Sequence, residues 1–132
     1  MTTTSLQRST PATAENVTTI RRAVCDLARS SGAGERSVGD VVLGVAEACG
    51  NVVLHAYVNA DVGPLIVDAR VGGEELVVIV TDQGRGCVPR PDSGGMGLGL
   101  PMMTTLARSV SITAGPGGAG TEVRMVFALA AD

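Results

Sequence analysis

Leu76-Val77-Val78-Ile79-Val80-Thr81-Asp82-Gln83-Gly84-Arg85-Gly86 is the stretch from which the rest of the chain can be placed. Its first six residues are an unbroken run rich in β-branched side chains, as expected of a strand buried on both faces. The run leads straight into Asp82-x-Gly84-x-Gly86, which puts a carboxylate just past a strand end. Upstream, Glu47-x-x-x-Asn51 sets a carboxylate and a carboxamide one helical turn apart. Downstream, Gly95-Met96-Gly97-Leu98-Gly99-Leu100 sets glycines ahead of a helix. Each motif alone is weak, because glycine-rich runs most often mark turns and a carboxylate off a helix's apolar stripe most often faces solvent. In this order, on a helix, a strand end and a loop-to-helix junction, the three together outline a nucleotide pocket.

The flanking elements follow from periodicity. Thr13-Ala14-Glu15-Asn16, followed by Val17, Ile20, Ala23, Val24, Leu27 and Ala28, reads as a capped amphipathic helix ending near Ser31-Gly32. A second helix runs from about Glu35 to about Tyr57, with Val38, Val42, Val45, Cys49, Val53 and Ala56 as its apolar stripe and Glu47 and Asn51 away from it. Leu65 to Val71 reads as a strand turning at Gly72-Gly73 into the central run. From Gln83 to Gly97 the chain holds five glycines and two prolines, too many for regular structure, so a loop flanks the site. Leu98 to Arg108 is a third helix, and Val110 to Ala114 with Glu122 to Leu129 forms a closing hairpin. A short polar strand around Ser5 to Ser9 completes the sheet. The order predicts an α+β fold, a two-layer sandwich of three helices over a mixed, mostly antiparallel sheet.

The 132 residues show no composition break, so they are read as a single domain, 1–132, with its motif-bearing core at about 12–129. Hydrophobic residues make up 45% of the chain, enough for a core, yet aromatics only 2%. With a net charge of −3 and almost nothing for bases to stack on, nucleic-acid binding is disfavoured. No apolar run of membrane-span length and no secretory leader is legible in the sequence, which points to a cytoplasmic protein. Cys25, Cys49 and Cys87 are too widely spaced for a disulfide framework or paired zinc ligands.

The residue types suit ATP chemistry. Asn51 offers a neutral oxygen, a suitable hard ligand for Mg²⁺ shared with phosphates and water. Glu47 is placed to orient or deprotonate an attacking hydroxyl. Asp82 can accept a hydrogen bond from an exocyclic amine, which adenine has and guanine lacks at the equivalent position. Gly84 and Gly86 let backbone approach the base without a Cβ. Gly95, Gly97, Leu98 and Gly99 lead into a helix whose free N–H groups can take phosphate oxygens.

On these residues the chain resembles the ATP-binding domain shared by gyrase and histidine kinases, the Bergerat fold, and within it the bacterial anti-sigma factor serine kinases. Glu47-Ala48-Cys49-Gly50-Asn51 with His55-Ala56-Tyr57 looks like the family's N box, Asp82 to Gly86 like its first glycine box, Gly95 to Gly99 like its second, and Gly120-Thr121 like its last. The resemblance implies that Glu47 is the catalytic base, that Asn51 holds Mg²⁺ on ATP, and that Thr121 joins Asp82 at the adenine. The 132 residues have no room for the phosphorylated-histidine helix of histidine kinases or the following lysine-bearing domain of gyrase-like ATPases, so a stand-alone domain of the anti-sigma type is expected. Such a protein sequesters a sigma factor and phosphorylates a serine or threonine on a STAS-type anti-sigma factor antagonist. A homodimer formed through the sheet region stays open, as does a different class of function, a nucleotide-dependent binding module without kinase activity. Gly50 departs from the larger polar residue common in relatives and loosens the helix, since glycine costs about 1 kcal/mol relative to alanine there.

Overall fold

The computed structural model describes residues 4–85 and 99–132. Five strands, β1 (Ser5–Pro11), β2 (Pro64–Gly72), β3 (Glu75–Asp82), β4 (Ser109–Ala114) and β5 (Thr121–Ala128), form one sheet in the order β1-β2-β3-β5-β4. Three helices, α1 (Ala14–Ser30), α2 (Glu35–Asn51) and α3 (Gly99–Leu106), form the second layer. This is the two-layer α+β sandwich that the element order predicts. Every pairing among the described residues is antiparallel, where the sequence reading expects a mixed, mostly antiparallel sheet. The reason is topological. β3 and β4 run the same way across the α3 connection, but β5 returns between them, so they form no parallel ladder.

Leu76, Val78 and Val80 of β3 are buried with Leu65, Val67 and Ala69 of β2, while Ile66, Val77 and Ile79 between them are only half-buried. The expectation that β3 is covered on both faces is therefore corrected. The helices lie on one side, and on the other Val77 is flanked in register by Arg70 and Val126, and Ile79 by Asp68 and Arg124. A β-branched run reports suitability for a pleated surface, not two-sided burial. β1 is longer than its polar sequence suggests, pairing with β2 along Ser5 to Pro11. Its ladder rests on backbone hydrogen bonds, which side-chain polarity does not reveal at a sheet edge.

Thr13 caps α1, its Oγ1 accepting the Asn16 N–H at 3.3 Å, while the Asn16 side chain donates to the Pro11 carbonyl at 2.8 Å. Ile20, Val24, Leu27 and Ala28 are the buried face. α2 begins at Gly34, which has no side chain to cap it. Asp132 does so instead: its Oδ2 accepts the Glu35 N–H at 2.9 Å, and Ser37 exchanges hydrogen bonds with the Ala130 backbone. The buried stripe of α2 is Val38, Val41, Val45, Ala48 and Cys49, continued by Val52 and Ala56, rather than the set containing Val42 and Val53. Gly44 lets α2 cross β5 closely, since a Cβ there would stand 2.7 Å from the Phe127 ring.

After Asn51 the α-helix opens into a π-helical turn, Val52–Ala56, where the sequence reads uninterrupted α-helix. Taken together, Glu35–Ala56 spans 22 residues and, by length and composition alone, is apolar enough to cross a membrane, a feature that a search for uninterrupted apolar runs does not find. No residue run looks that long in the sequence because Glu35, Arg36, Asp40 and Glu47 punctuate it. Its apolar stripe is packed into the domain's own core.

Candidate functional site

Asp82 ends β3 and is buried, 6% exposed, directly opposite Thr121 at the start of β5. Burial pushes its carboxyl above the usual carboxylate range, opposed by hydrogen bonds from the backbone N–H groups of Gly84 and Thr121. The Gly84 N–H donates to Asp82 Oδ1 at 2.9 Å. A carboxylate offers about four lone-pair sites. Two backbone donors therefore leave acceptor capacity for a ligand's N–H.

A raised carboxyl has a definite linkage sign. Between the ordinary carboxylate value and the raised one, the folded protein binds more protons than the unfolded chain, so stability falls as pH rises through that window. The stability of Asp82→Asn relative to wild type should therefore increase as pH rises above the ordinary carboxylate value and level off once Asp82 is ionised in the folded state. Paired urea titrations across pH check this. A difference that shrinks with rising pH would contradict a carboxyl destabilised by burial.

Two glycines set this geometry. A Cβ on Gly84 would run into the Ala56 carbonyl, and one on Gly120 would run into the Asp82 carbonyl. Gly120 also sits at φ +69°, in the left-handed region that disfavours other residues. Gly120→Ala should lower stability by at least ~1–2 kcal/mol from backbone strain, and weaken any ligand held by Asp82. Urea denaturation with an unchanged midpoint would show that the β3–β5 junction does not need this approach. For Gly84 the close partner is the chain's own helix end, a constraint separate from the approach to a base that the sequence suggests.

The helix end joins the strand end through backbone. The Ala56 carbonyl, last in the π turn, accepts the Arg85 N–H at 3.1 Å. Glu47 and Asn51 lie one turn apart in the last part of α2, both half-buried and off its core-facing stripe. Gly99 opens α3, which carries Met103 into the core. The structure thus gathers Asp82, Gly84 and Thr121 and ties them to the end of the helix bearing Glu47 and Asn51. The predicted residues Gly86, Gly95, Gly97 and Leu98 lie outside the described residues, as do Cys87 and Arg90.

No group of three or more His, Cys, Asp or Glu side chains able to hold a metal occurs among the described residues. The donors at hand are the Asn51 carboxamide and, a turn away, Glu47. That set fits a hard cation retained mainly by phosphates and water, as Mg²⁺ is, and not an all-protein cage. Cys49 lies beside this face yet points into the core, where burial pushes its thiol up to about 12, leaving it protonated and inert.

Sequence reasoning missed the Ala56 carbonyl and the surroundings of Tyr57. The phenol oxygen of Tyr57 donates to the Pro64 carbonyl at 2.5 Å and accepts the Gln83 N–H at 2.9 Å. The available signal was the pairing of a lone tyrosine with Gly63-Pro64, which on its own reads as a turn.

Residues 10–127 match the model of the histidine kinase-like ATPase domain. The serine-protein kinase RsbW of Halalkalibacterium halodurans is 30% identical over 123 residues, spanning 82% of this chain and 75% of that protein. RsbW of Bacillus cereus strain AH187 is 32% identical over 79 residues, 60% of this chain and about half, 49%, of that protein. In three dimensions the chain resembles the crystal structure of the RsbU and RsbW domains of Rv1364c from Mycobacterium tuberculosis. The TM-score is 0.75 and the identity 23%, covering 98% of this chain and 34% of that one, a likeness of fold.

Proposed function

Since the chain belongs to the histidine kinase-like ATPase domain family, within its RsbW-type serine-protein kinase branch, we propose that it binds Mg–ATP and phosphorylates a protein serine or threonine. The acceptor in this reading is an anti-sigma factor antagonist, and the chain also sequesters a sigma factor in the cytoplasm. The observation that carries the nucleotide part is the buried Asp82 carboxylate, locked beside Thr121 and Gly84 and bonded through backbone to the helix of Glu47 and Asn51.

In the proposed reaction Asp82 accepts a hydrogen bond from the adenine amine and so selects ATP. Asn51 would hold Mg²⁺, which when bound neutralises charge on the phosphates. Glu47 accepts the proton of the attacking hydroxyl as its oxygen bonds to the γ-phosphorus. The bond from phosphorus to the bridging oxygen breaks, and ADP leaves with that electron pair. The N–H groups at the start of α3, with Gly95, Gly97 and Leu98 before it, receive phosphate oxygens.

The test is transfer of labelled γ-phosphate from ATP to a small acceptor protein in a lysate of the source organism. Label on serine or threonine that appears with wild type and not with a Glu47 variant supports the kinase. ATP binding without any labelled acceptor would replace it with a nucleotide-gated binding module.

A further inference from the structure

Tyr57 follows the π turn and stands where three separate pieces of chain meet. Its ring lies against Gly63, where a Cβ would run into the ring carbons. Its hydroxyl bridges the Pro64 carbonyl, at the start of β2, and the Gln83 N–H, immediately after Asp82. Asp82 occupies the last rung of β3, paired with Leu65 on one side and Thr121 on the other. Beyond that rung the ladder provides no further support, and Gln83 is exposed. The peptide joining Asp82 to Gln83 is therefore oriented by the tyrosine oxygen. The next residue, Gly84, carries the N–H that holds Asp82 Oδ1.

We infer that Tyr57 is a positioning residue for base selection: its hydroxyl fixes the peptide after Asp82 and thereby aims the Asp82 carboxylate at the adenine amine. The inference rests on the reading of Asp82 as the adenine contact. Tyr57 acts through Asp82 and the Gln83–Gly84 backbone, with no contact of its own to the nucleotide. Glycine at 63 belongs to the same device, because any side chain there would displace the ring and pull the hydroxyl from both partners.

The experiment compares binding of ATP and inosine triphosphate by calorimetry for wild type, Tyr57→Phe, Gly63→Ala and Asp82→Asn. Inosine carries an exocyclic oxygen where adenine carries the amine, and an N1–H where adenine has an acceptor nitrogen, so the affinity ratio reads recognition of the base edge that Asp82 faces in this reading. Tyr57→Phe keeps the ring and removes only the hydroxyl. It should weaken ATP about 3- to 10-fold, the worth of one misaligned hydrogen bond, leave inosine triphosphate unchanged, and expose the Gln83 amide to faster hydrogen exchange. Gly63→Ala should shift the ratio in the same direction, and it carries the test if the phenylalanine variant does not melt cooperatively. A wild-type ratio in both variants, or equal losses for both nucleotides, overturns the inference. If Asp82→Asn also keeps the wild-type ratio, the adenine reading itself falls. If only the Tyr57 and Gly63 variants keep it, Asp82 retains its role and the positioning by Tyr57 alone is wrong.

Discussion

Glu47→Gln should cut the rate of phosphate transfer by roughly 10²- to 10⁴-fold, the usual contribution of a positioned general base, while ATP binding stays close to wild type. The substitution conserves shape and helix propensity, and Glu47 is half-buried off the core stripe, so the fold has no reason to suffer. A glutamine can still hydrogen-bond the acceptor hydroxyl but cannot take its proton. The loss should therefore fall on the chemical step and not on binding. Single-turnover transfer of labelled phosphate, with ATP affinity measured in parallel, checks this. A variant that transfers at the native rate would remove Glu47 from the chemistry and leave it a surface residue of α2.

Asn51→Ala should lower the affinity for Mg–ATP by at least about 100-fold, because residues that only support a metal ligand already cost 10- to 100-fold when lost. The more telling readout is metal dependence. In wild type, ATP binding should strengthen when Mg²⁺ is added; in the variant, titrations with Mg²⁺ and with a chelator should coincide. Asn51 is the last residue of the α-helix before the π turn, so alanine at this position is compatible with the local backbone. An unchanged response to Mg²⁺ in the variant would assign the metal to other donors. Taken with Glu47→Gln, the pair separates holding the triphosphate from activating the hydroxyl that attacks it, the two roles proposed for residues one turn apart on a single helix.

Much of the candidate site is legible in the chain because its parts are local. The i, i+4 spacing of Glu47 and Asn51 puts them on one helix face whatever the helix packs against. Asp82 follows a β-branched run, and a strand must end before Gly84 and Gly86 can be read. The less legible parts have a common character. Choosing Val41 over Val42 for the buried stripe of α2 turns on a rotation that two adjacent valines leave undetermined. The π turn at Val52–Ala56 has no composition of its own, although Gly50 marks a helix already weakened nearby.

What the sequence by itself determined is therefore the kind and order of elements and the residue types each carries: three helices, the strands, and the residues proposed for adenine, phosphate and metal. These depend on periodicity and on the nature of neighbouring side chains, which a one-dimensional string records in full. Only the tertiary structure decided that β5 returns between β3 and β4, that the sheet has one covered face, and that Asp132 caps α2. It alone brought Tyr57 to Gln83 and Gly120 to the Asp82 backbone. Those arrangements join residues distant along the chain, and their energies exist only after the layers have packed, when a hydroxyl or a missing Cβ finds the partner that gives it meaning.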